Sequence, residues 1–307
     1  TELEQNQLIY RIQGSGSFVR RPIQPQSKGK VLFILPFAND LSLGNFTEGI
    51  YPVMQEQGFE LMLTPVDYLE QTTAEALTEE FDGMIYYANN TNSNYDLLFE
   101  LASQGFPVVT LDKALHEFSF PAVLADNFEG GQLATEHLLA QGHQRIGYIF
   151  GERHHPQSVR QRYLGYVDQL KKQQSSFRTK LDDPQALLSS AVSYIQENQL
   201  TGAVCENDLV AIELMRQLKQ VGVQVPKEFA VIGFDDIQAA ALVDPPLSTV
   251  KQNFAELGRL AGTKLVQLIQ STAADLSTLA KEDESATANQ KVAVTLVVRD
   301  STIDQKQ

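Results

Sequence analysis

The chain has 307 residues, 43% of them hydrophobic, and a formal net charge of −14. A body this acidic is not expected to be a nucleic-acid surface. It contains no apolar run of about 18 residues, the length that a membrane span requires, and residues 1–25 show no secretory leader. The single cysteine, Cys205, excludes an intrachain disulfide and fits a reducing compartment. We therefore expect a cytoplasmic protein of one or two lobes.

Residues 1–30 form a basic head on this acidic body, with five Lys/Arg and two Glu. Within the head, YRIQGSGSFVRRP could be a phosphate-binding loop, a tight hairpin or a flexible tether. A dinucleotide fold requires G-x-G-x-x-G between a strand and a helix, and the third glycine is missing here. Two alternating segments that meet at glycines predict a β-hairpin instead. In such a hairpin, DNA phosphates could be contacted by Arg11, Arg20 and Arg21.

Beyond the head, residues 20–29 are rich in Pro, Gln and Ser and predict an inter-domain linker. From Lys30 onward, apolar segments such as KVLFILPF and DGMIYY alternate with helical ones such as NFTEGIYPVMQEQG. Two such runs predict an α/β fold with two similar lobes, each a parallel sheet flanked by helices. The polar residues 271–291 predict a surface loop before one last strand, VAVTLVVRDS.

Ligands of open parallel sheets bind outside the carboxyl ends of the strands. The residues that follow the predicted strands here are rich in Asp, Asn, Arg, Ser and Phe, and they do not pair a nucleophile with a base. Carboxylates, Arg and Asn suit the hydroxyls of a sugar, and an aromatic ring covers its C–H face. Many polar clefts share this composition. The chain has no P-loop, HExxH or GxSxG motif, so we expect neither an enzyme nor a bound cofactor.

Four other features have plainer interpretations. Asp235 and Asp236 could form a metal or acid–base pair, but adjacent strand residues point to opposite faces. His154 and His155 lack the spacing of a metal site and are interpreted as exposed loop residues. His143 follows Gly142 at a helix end, where it would act as a C-terminal cap. Cys205 is expected to be a buried strand residue without a catalytic role.

Several long motifs resemble those of LacI/GalR-family regulators, in the same order. They are AVLADNFEGGQLATEHLLAQGHQRIGYIFG, SVRQRYLGY, GAVCENDLVAIELMRQLKQVGVQVPKEFAVIGFDD and VIGFDDIQAAALVDPPLSTVKQNFAELGRLAGTKLVQLI, followed by LVVRDS. The resemblance covers residues 30–302 approximately. It implies a periplasmic-binding-protein-like pair of lobes with a ligand between them and with crossovers near Asp126, after Val250 and near Asn289.

The head departs from this family, because LIYRIQGSGSFVRRP resembles the wing that closes a GntR-type winged-helix domain. The resemblance implies that the intact protein binds DNA and that this chain holds only the end of its reading domain. The implied organisation is a wing remnant in 1–19, a linker in 20–29, a first lobe in 30–125 and 251–289, and a second lobe in 126–250 and 290–307.

The family's ligand contacts, carried over by motif, fall on polar residues of both lobes and on one aromatic residue. From the first lobe they are Asp112, Asn45 and Phe46, the last as an aromatic platform, with Asn89 and Asn90 as weaker candidates. From the second lobe they are Ser158, Arg162, Asn207 and Asp235.

The resemblance implies a sugar-responsive transcription regulator that acts as a homodimer on operator DNA. A fusion of these two domain types favours L-arabinose as the effector, and xylose, a disaccharide or a sugar phosphate stays open. Release of DNA on sugar binding is expected, with a corepressor as the other possibility. The alternative is a periplasmic-type sugar receptor for transport, which would require an export signal.

Overall fold

The computed structural model describes residues 9–12, 16–19, 28–35, 45–87, 94–115, 117–151, 155–175, 177–181, 183–271 and 289–303. The strands are β1 (Ile9–Ile12), β2 (Gly16–Val19), β3 (Gly29–Leu35), β4 (Phe59–Pro65), β5 (Gly83–Tyr87), β6 (Val108–Leu111), β7 (Ala122–Ala125), β8 (Ile146–Ile149), β9 (Gly202–Cys205), β10 (Ala230–Asp235), β11 (Ser248–Lys251), β12 (Gln290–Val292) and β13 (Thr295–Val297). The α-helices are α1 (Thr47–Gln57), α2 (Ala74–Glu80), α3 (Tyr95–Ser103), α4 (Asn127–Ala140), α5 (Gln157–Lys172), α6 (Ala191–Glu197), α7 (Asp208–Gln220) and α8 (Phe254–Gln270). Short 3-10 turns lie at Val66–Gln71, Pro184–Ala186, Leu188–Ser190 and Gln238–Ala241.

The first lobe is built on a six-stranded parallel sheet in the order β12-β7-β6-β5-β3-β4. Its inner strands are continuous apolar runs because helices cover both faces of the sheet. β5 and β6 are buried along almost their whole length, whereas the edge strand β4 is mostly exposed. Helix α8 packs against α1 and the inner strands of this sheet.

The second lobe is built on a five-stranded sheet in the order β13-β11-β10-β9-β8, parallel except for β13. β10 is buried throughout and lies between β9 and β11. Helices α4 and α5 pack against each other on this lobe. The two sheets with their helices confirm the predicted α/β fold of two periplasmic-binding-protein-like lobes.

The chain passes between the lobes three times in the described residues. It crosses at Asp126, between β7 and α4, and again at residues 252–253, between β11 and α8. The third crossover corrects the prediction for the C-terminal strand. VAVTLVVRDS is not one strand of the second lobe: β12 pairs with β7 in the first lobe, and β13 pairs with β11 in the second. Residues 290–292 therefore belong to the first sheet, and the crossover lies at residues 293–294.

The predicted N-terminal hairpin has two antiparallel strands, with Ile9 opposite Val19 and Ile12 opposite Gly16. The predicted DNA-contacting side chains lie outside the described part of the chain, as do two of the candidate ligand residues and one histidine. These are the side chain of Arg11, and Arg20, Arg21, Asn89, Asn90 and His154.

Two glycines set the close approach of α4 and α5. A Cβ at Gly131 would overlap the backbone carbonyl of Arg162, and one at Gly165 would overlap the carbonyl of Phe128. Only glycine allows two helix backbones to come this near. The contact fixes the position of α5, the helix that carries two of the predicted ligand contacts.

Candidate functional site

The carboxyl ends of the strands of both lobes meet at a cleft. Asp112 follows β6 of the first lobe, and the hydroxyl of Ser158 on α5 of the second lobe donates to its Oδ2 at 3.5 Å. Beside this contact, the backbone N–H of Ala114 donates to Oε1 of Gln157, also on α5, at 3.2 Å. The cleft therefore lies at the position where open parallel sheets bind ligands.

An ion pair between Arg162 and Asp235 forms the second-lobe wall of the cleft. Arg162 Nη2 lies 3.3 Å from Asp235 Oδ1, and the two side chains are only 6% and 8% exposed. In such a buried environment the two charges interact strongly, and each compensates the other's loss of hydration. Sequence motifs predicted both residues as ligand contacts, and the structure brings them together.

Neighbouring groups hold the guanidinium of Arg162 in one orientation. Its Nε donates to Oδ1 of Asn127 at 2.8 Å, and its Nη1 donates to the backbone carbonyl of Glu206 at 2.6 Å. Its Cζ lies 3.7 Å from the centre of the Phe234 ring, a cation–π contact. A planar cation fixed on three sides is prepared to donate to an oxygen of a ligand without losing side-chain entropy.

Asp235 is held as firmly as its partner. The buried amide of Gln252 donates from Nε2 to its Oδ1 at 2.6 Å. Its backbone has φ +114°, and Asp236 follows with φ +58°. Left-handed conformations cost a residue other than glycine about 1–3 kcal/mol and cluster at binding sites. Asp236 has different partners, an ion pair with Arg299 at 2.6 Å and Lys251 at 4.0 Å, so the two acids do not share one centre.

The first-lobe wall consists of Asp112, Tyr87 and Lys113. Asp112 has φ +70°, and its carboxylate lies close enough to the Tyr87 hydroxyl to act on its pKa. Burial and the carboxylates of Asp112 and Asp235 raise the pKa of Tyr87 well above its usual value. Burial lowers the pKa of Lys113, an effect that Asp112 opposes and Arg162 adds to. Because charges of the second lobe act on both side chains, the two walls face each other at close range.

An aromatic cluster closes the first-lobe side. Phe46 is 3% exposed and packs edge-on against Phe33, Tyr87 and Phe254, with ring centres 6.5, 5.7 and 5.1 Å away. Tyr87 and Phe254 are the half-buried members of this cluster. The structure thus places the predicted platform Phe46 behind Tyr87, which carries the aromatic surface toward Asp112.

Two predicted amides are engaged in local hydrogen bonds. Asn207 caps α7, where its Oδ1 accepts the N–H of Val210 at 2.9 Å. Asn45 is exposed, donates to Glu48 at 2.6 Å and accepts from the hydroxyl of Thr47 at 2.6 Å. The residues that the structure brings together are thus Asp112, Ser158, Arg162 and Asp235, with Asn207 nearby at the start of α7 and Asn45 apart from them.

Sequence reasoning missed several residues of the cleft. Tyr87 is the last residue of β5, whereas the predicted ligand positions follow the ends of the strands. Asn127 and Gln252 lie inside quoted motifs, ADNFEGG and VKQNF, but their role depends on which side chain they meet. Lys113 directly follows Asp112, and its position one residue further along the same turn is the signal that indicates it.

A third buried carboxylate lies behind the ion pair. Asp208, fully buried, accepts the Thr249 hydroxyl at 2.6 Å and the N–H of Ile237 at 2.9 Å. Burial and the charge of Asp235 raise its pKa from 3.8 to about 7. The folded state therefore binds this proton more tightly than the unfolded state. The free energy of unfolding therefore falls as the pH rises from 3.8 to about 7. Above this range Asp208 lowers it no further.

The variant Asp208→Asn tests this linkage. Asparagine keeps the size and one acceptor, and the Thr249 hydroxyl can accept in place of donating. We expect the variant to lose the fall in stability with pH, which has a slope of at most about 1.4 kcal/mol per pH unit. Urea unfolding of the wild type and of Asp208→Asn from pH 5 to pH 8 measures the difference between their free energies of unfolding. The contributions of the titrating groups that the two proteins share cancel in this difference. Parallel curves would contradict the assignment.

The remaining singled-out residues lie outside this cluster. The backbone of His143 donates to Leu138 at 3.1 Å at the end of α4, after Gly142 at φ +89°. His155 is half-buried against Phe150, with ring centres 4.2 Å apart, rather than exposed as predicted. Burial raises the pKa of the Cys205 thiol.

The comparisons with known proteins agree with one another. The family model for periplasmic binding protein-like domains matches residues 135–302, more than half of the chain. Over 301 residues the chain is 28% identical to an arabinose metabolism transcriptional repressor of Geobacillus stearothermophilus, covering 89% of this chain and 80% of that protein. A ribose operon repressor of Haemophilus influenzae is 25% identical over 286 residues, or 90% and 85% of the two chains.

Among solved structures, a LacI family transcriptional regulator from Enterococcus faecium with bound ribose matches with a TM-score of 0.69. Its identity is 25%, and the match covers 89% of this chain and 98% of that one. Within the described residues, every helix is too short or too polar to cross a membrane. The matched family model and the two-lobed architecture agree, and the chain belongs to the family of periplasmic binding protein-like domains.

Proposed function

We propose that this chain is the effector-binding part of a transcriptional repressor that responds to a small sugar, and that it is not an enzyme. The observation that carries the proposal is the cleft in which Arg162 and Asp235 of one lobe face Asp112 and Tyr87 of the other. These groups offer donors and acceptors to neighbouring hydroxyls, with an aromatic surface beside them. The relatives compared above are repressors, which favours regulation over a transport receptor.

The favoured effector is L-arabinose. The supporting observation is that one relative is a repressor of arabinose metabolism. The contacts we propose are Asp112, Ser158, Arg162, Asn207 and Asp235, with Tyr87 and Lys113 added from the geometry. Phe46, as the aromatic platform behind Tyr87, and Asn45 stay proposed as ligand contacts of the first lobe, together with Asn89 and Asn90.

A thermal-shift series with L-arabinose, D-ribose, D-xylose, cellobiose and a pentose phosphate tests the effector class. A ligand at 100 times its Kd stabilises the fold by about 2.7 kcal/mol, so one sugar should raise the Tm by several degrees. We expect L-arabinose to give the largest shift. A series in which no sugar or sugar phosphate changes the Tm would overturn the proposed function.

DNA binding is assigned to an N-terminal GntR-type winged helix, of which β1 and β2 would be the wing. The support is the antiparallel hairpin together with the Arg-rich sequence around it. In an intact protein, sugar binding would change the relative position of the lobes and thereby release operator DNA. A mobility-shift titration with DNA from upstream of the gene should show that L-arabinose weakens the complex. Tighter binding with sugar would indicate a corepressor instead.

We further propose that the protein acts in the cytoplasm as a homodimer. The exposed edge strand β4 presents Met62 and Leu63, and α1 presents Tyr51, which are 38%, 45% and 57% exposed. Large exposed apolar side chains at a sheet edge and on the helix that packs beside it are typical of an interface. Sedimentation equilibrium measures the association state.

A further inference from the structure

Two hydrogen bonds join the lobes across the mouth of the cleft. One links the hydroxyl of Ser158 to the carboxylate of Asp112, and the other links Gln157 Oε1 to the backbone N–H of Ala114. Both connect the turn after β6 to the first residues of α5. The crossovers at 126, 252–253 and 293–294 also join the lobes, and they allow the lobes to rotate as units.

Of the two hydrogen bonds, the one that Gln157 accepts is independent of the charged side chains of the effector site. Gln157 is the first residue of α5 and half-buried, and its amide is uncharged, so the bond does not require a charged group of the effector site. The carboxylate of Asp112 meets the same helix end, where the unpaired N–H groups and the helix dipole favour a negative charge. The turn after β6 is therefore held against α5 by an electrostatic contact and a directed hydrogen bond.

We propose that Gln157 is a positioning residue that holds the lobes closed on the effector without touching it. The inference rests on the proposed function, because it concerns the opening and closing of that same effector site. Because the bond spans the two lobes, separating them breaks it, so it shifts the open–closed equilibrium toward the closed state that would bind the sugar. The apparent affinity then depends on the fraction of closed protein.

Two variants separate the hydrogen bond from simple packing. Gln157→Ala removes the side chain, whereas Gln157→Met keeps its length and lacks the acceptor. Gln161→Ala, an exposed glutamine one turn along α5, is the matched control. Small-angle X-ray scattering of the sugar-free proteins measures the radius of gyration, and stopped-flow mixing measures the release rate of L-arabinose.

For a single neutral hydrogen bond, we expect both Gln157 variants to raise the ratio of open to closed protein roughly two- to tenfold. This change appears as a larger radius of gyration, which saturating sugar restores to the wild-type value. Sugar release becomes faster by a similar factor, because the sugar leaves through the open state. Gln161→Ala should match the wild type in both measurements, and the Tm without sugar should be alike in all four proteins.

The positioning role is overturned if neither Gln157 variant differs from Gln161→Ala in radius of gyration or release rate. It is also overturned if Gln157→Met behaves as the wild type while Gln157→Ala does not, since packing would then explain the effect. If the wild type binds no sugar, the proposed function fails separately. The scattering comparison still decides whether Gln157 holds the lobes together.

Discussion

Replacing Asp235 with Ala is expected to abolish the sugar-induced thermal shift and to lower the free energy of unfolding by about 3–5 kcal/mol. The substitution removes a proposed sugar contact and leaves the guanidinium of Arg162 without its ion-pair partner in a cleft where it is only 6% exposed. Gln252 also loses the oxygen to which it donates. Urea unfolding and calorimetric titration with L-arabinose measure the two effects.

A double-mutant cycle measures the coupling between Arg162 and Asp235. When Asp235→Ala is combined with Arg162→Met, no unpaired charge remains, so the double variant should lose less stability than the two single losses added together. Lys172→Ala is the control, because it breaks an exposed ion pair with Asp168 on the same helix, leaves the Gln132–Asp168 hydrogen bond in place and should hardly change unfolding. Additive losses in the cycle, or wild-type stability of Asp235→Ala, would show that the pair is not coupled.

Replacing Gly131 with Val is expected to affect both the stability and the site. The added side chain would overlap the backbone carbonyl of Arg162, which cannot move aside as a flexible side chain could. Overpacking of this kind costs about 1–3 kcal/mol or more. Because α5 must shift away from α4, Ser158 and Arg162 move with it, and sugar binding should weaken strongly. Denaturant unfolding and sugar titration provide the measurements.

Gly142→Ala is the matched control for this substitution. Gly142 has φ +89° and open space around the position of a Cβ, so alanine there costs only the left-handed conformation, about 1–2 kcal/mol. Gly142 follows α4 at the end away from Asp126, so sugar affinity should stay at the wild-type value. If Gly131→Val binds sugar as tightly as Gly142→Ala, the helix contact does not position the site.

Local sequence patterns were sufficient to predict the helices and strands. They also predicted the edge of the sheets at which the site lies. Apolar runs such as GMIYY and AVIGFD could only be strands buried on both faces, and their alternation with helices required parallel sheets. The motifs SVRQR and GFDD predicted Arg162 and Asp235 as ligand contacts through their resemblance to a known family. The C-terminal strand was wrong for a local reason: nothing in VAVTLVVRDS marks the two residues at which the chain leaves one sheet for the other.

Local sequence patterns could not predict which side chains meet when they lie far apart in the chain. Gln157 meets Ala114 from 43 positions away, and Gln252 meets Asp235 from 17. The left-handed backbone at Asp112 and Asp235 has no sequence signal either, because glycine would be the expected residue there. Such conformations persist where surrounding packing determines them.

The sequence by itself determined the α/β class, the two lobes and the residue types at the ends of the strands, since hydrophobic periodicity and short motifs act within one element. Only the tertiary structure decided that Arg162 and Asp235 form one buried pair, that Asn207 caps a helix, and that Tyr87 and Gln157 belong to the cleft. The physical reason is that a hydrogen bond or ion pair between residues far apart in the chain depends on how helices and sheets pack, and packing is a property of the whole chain.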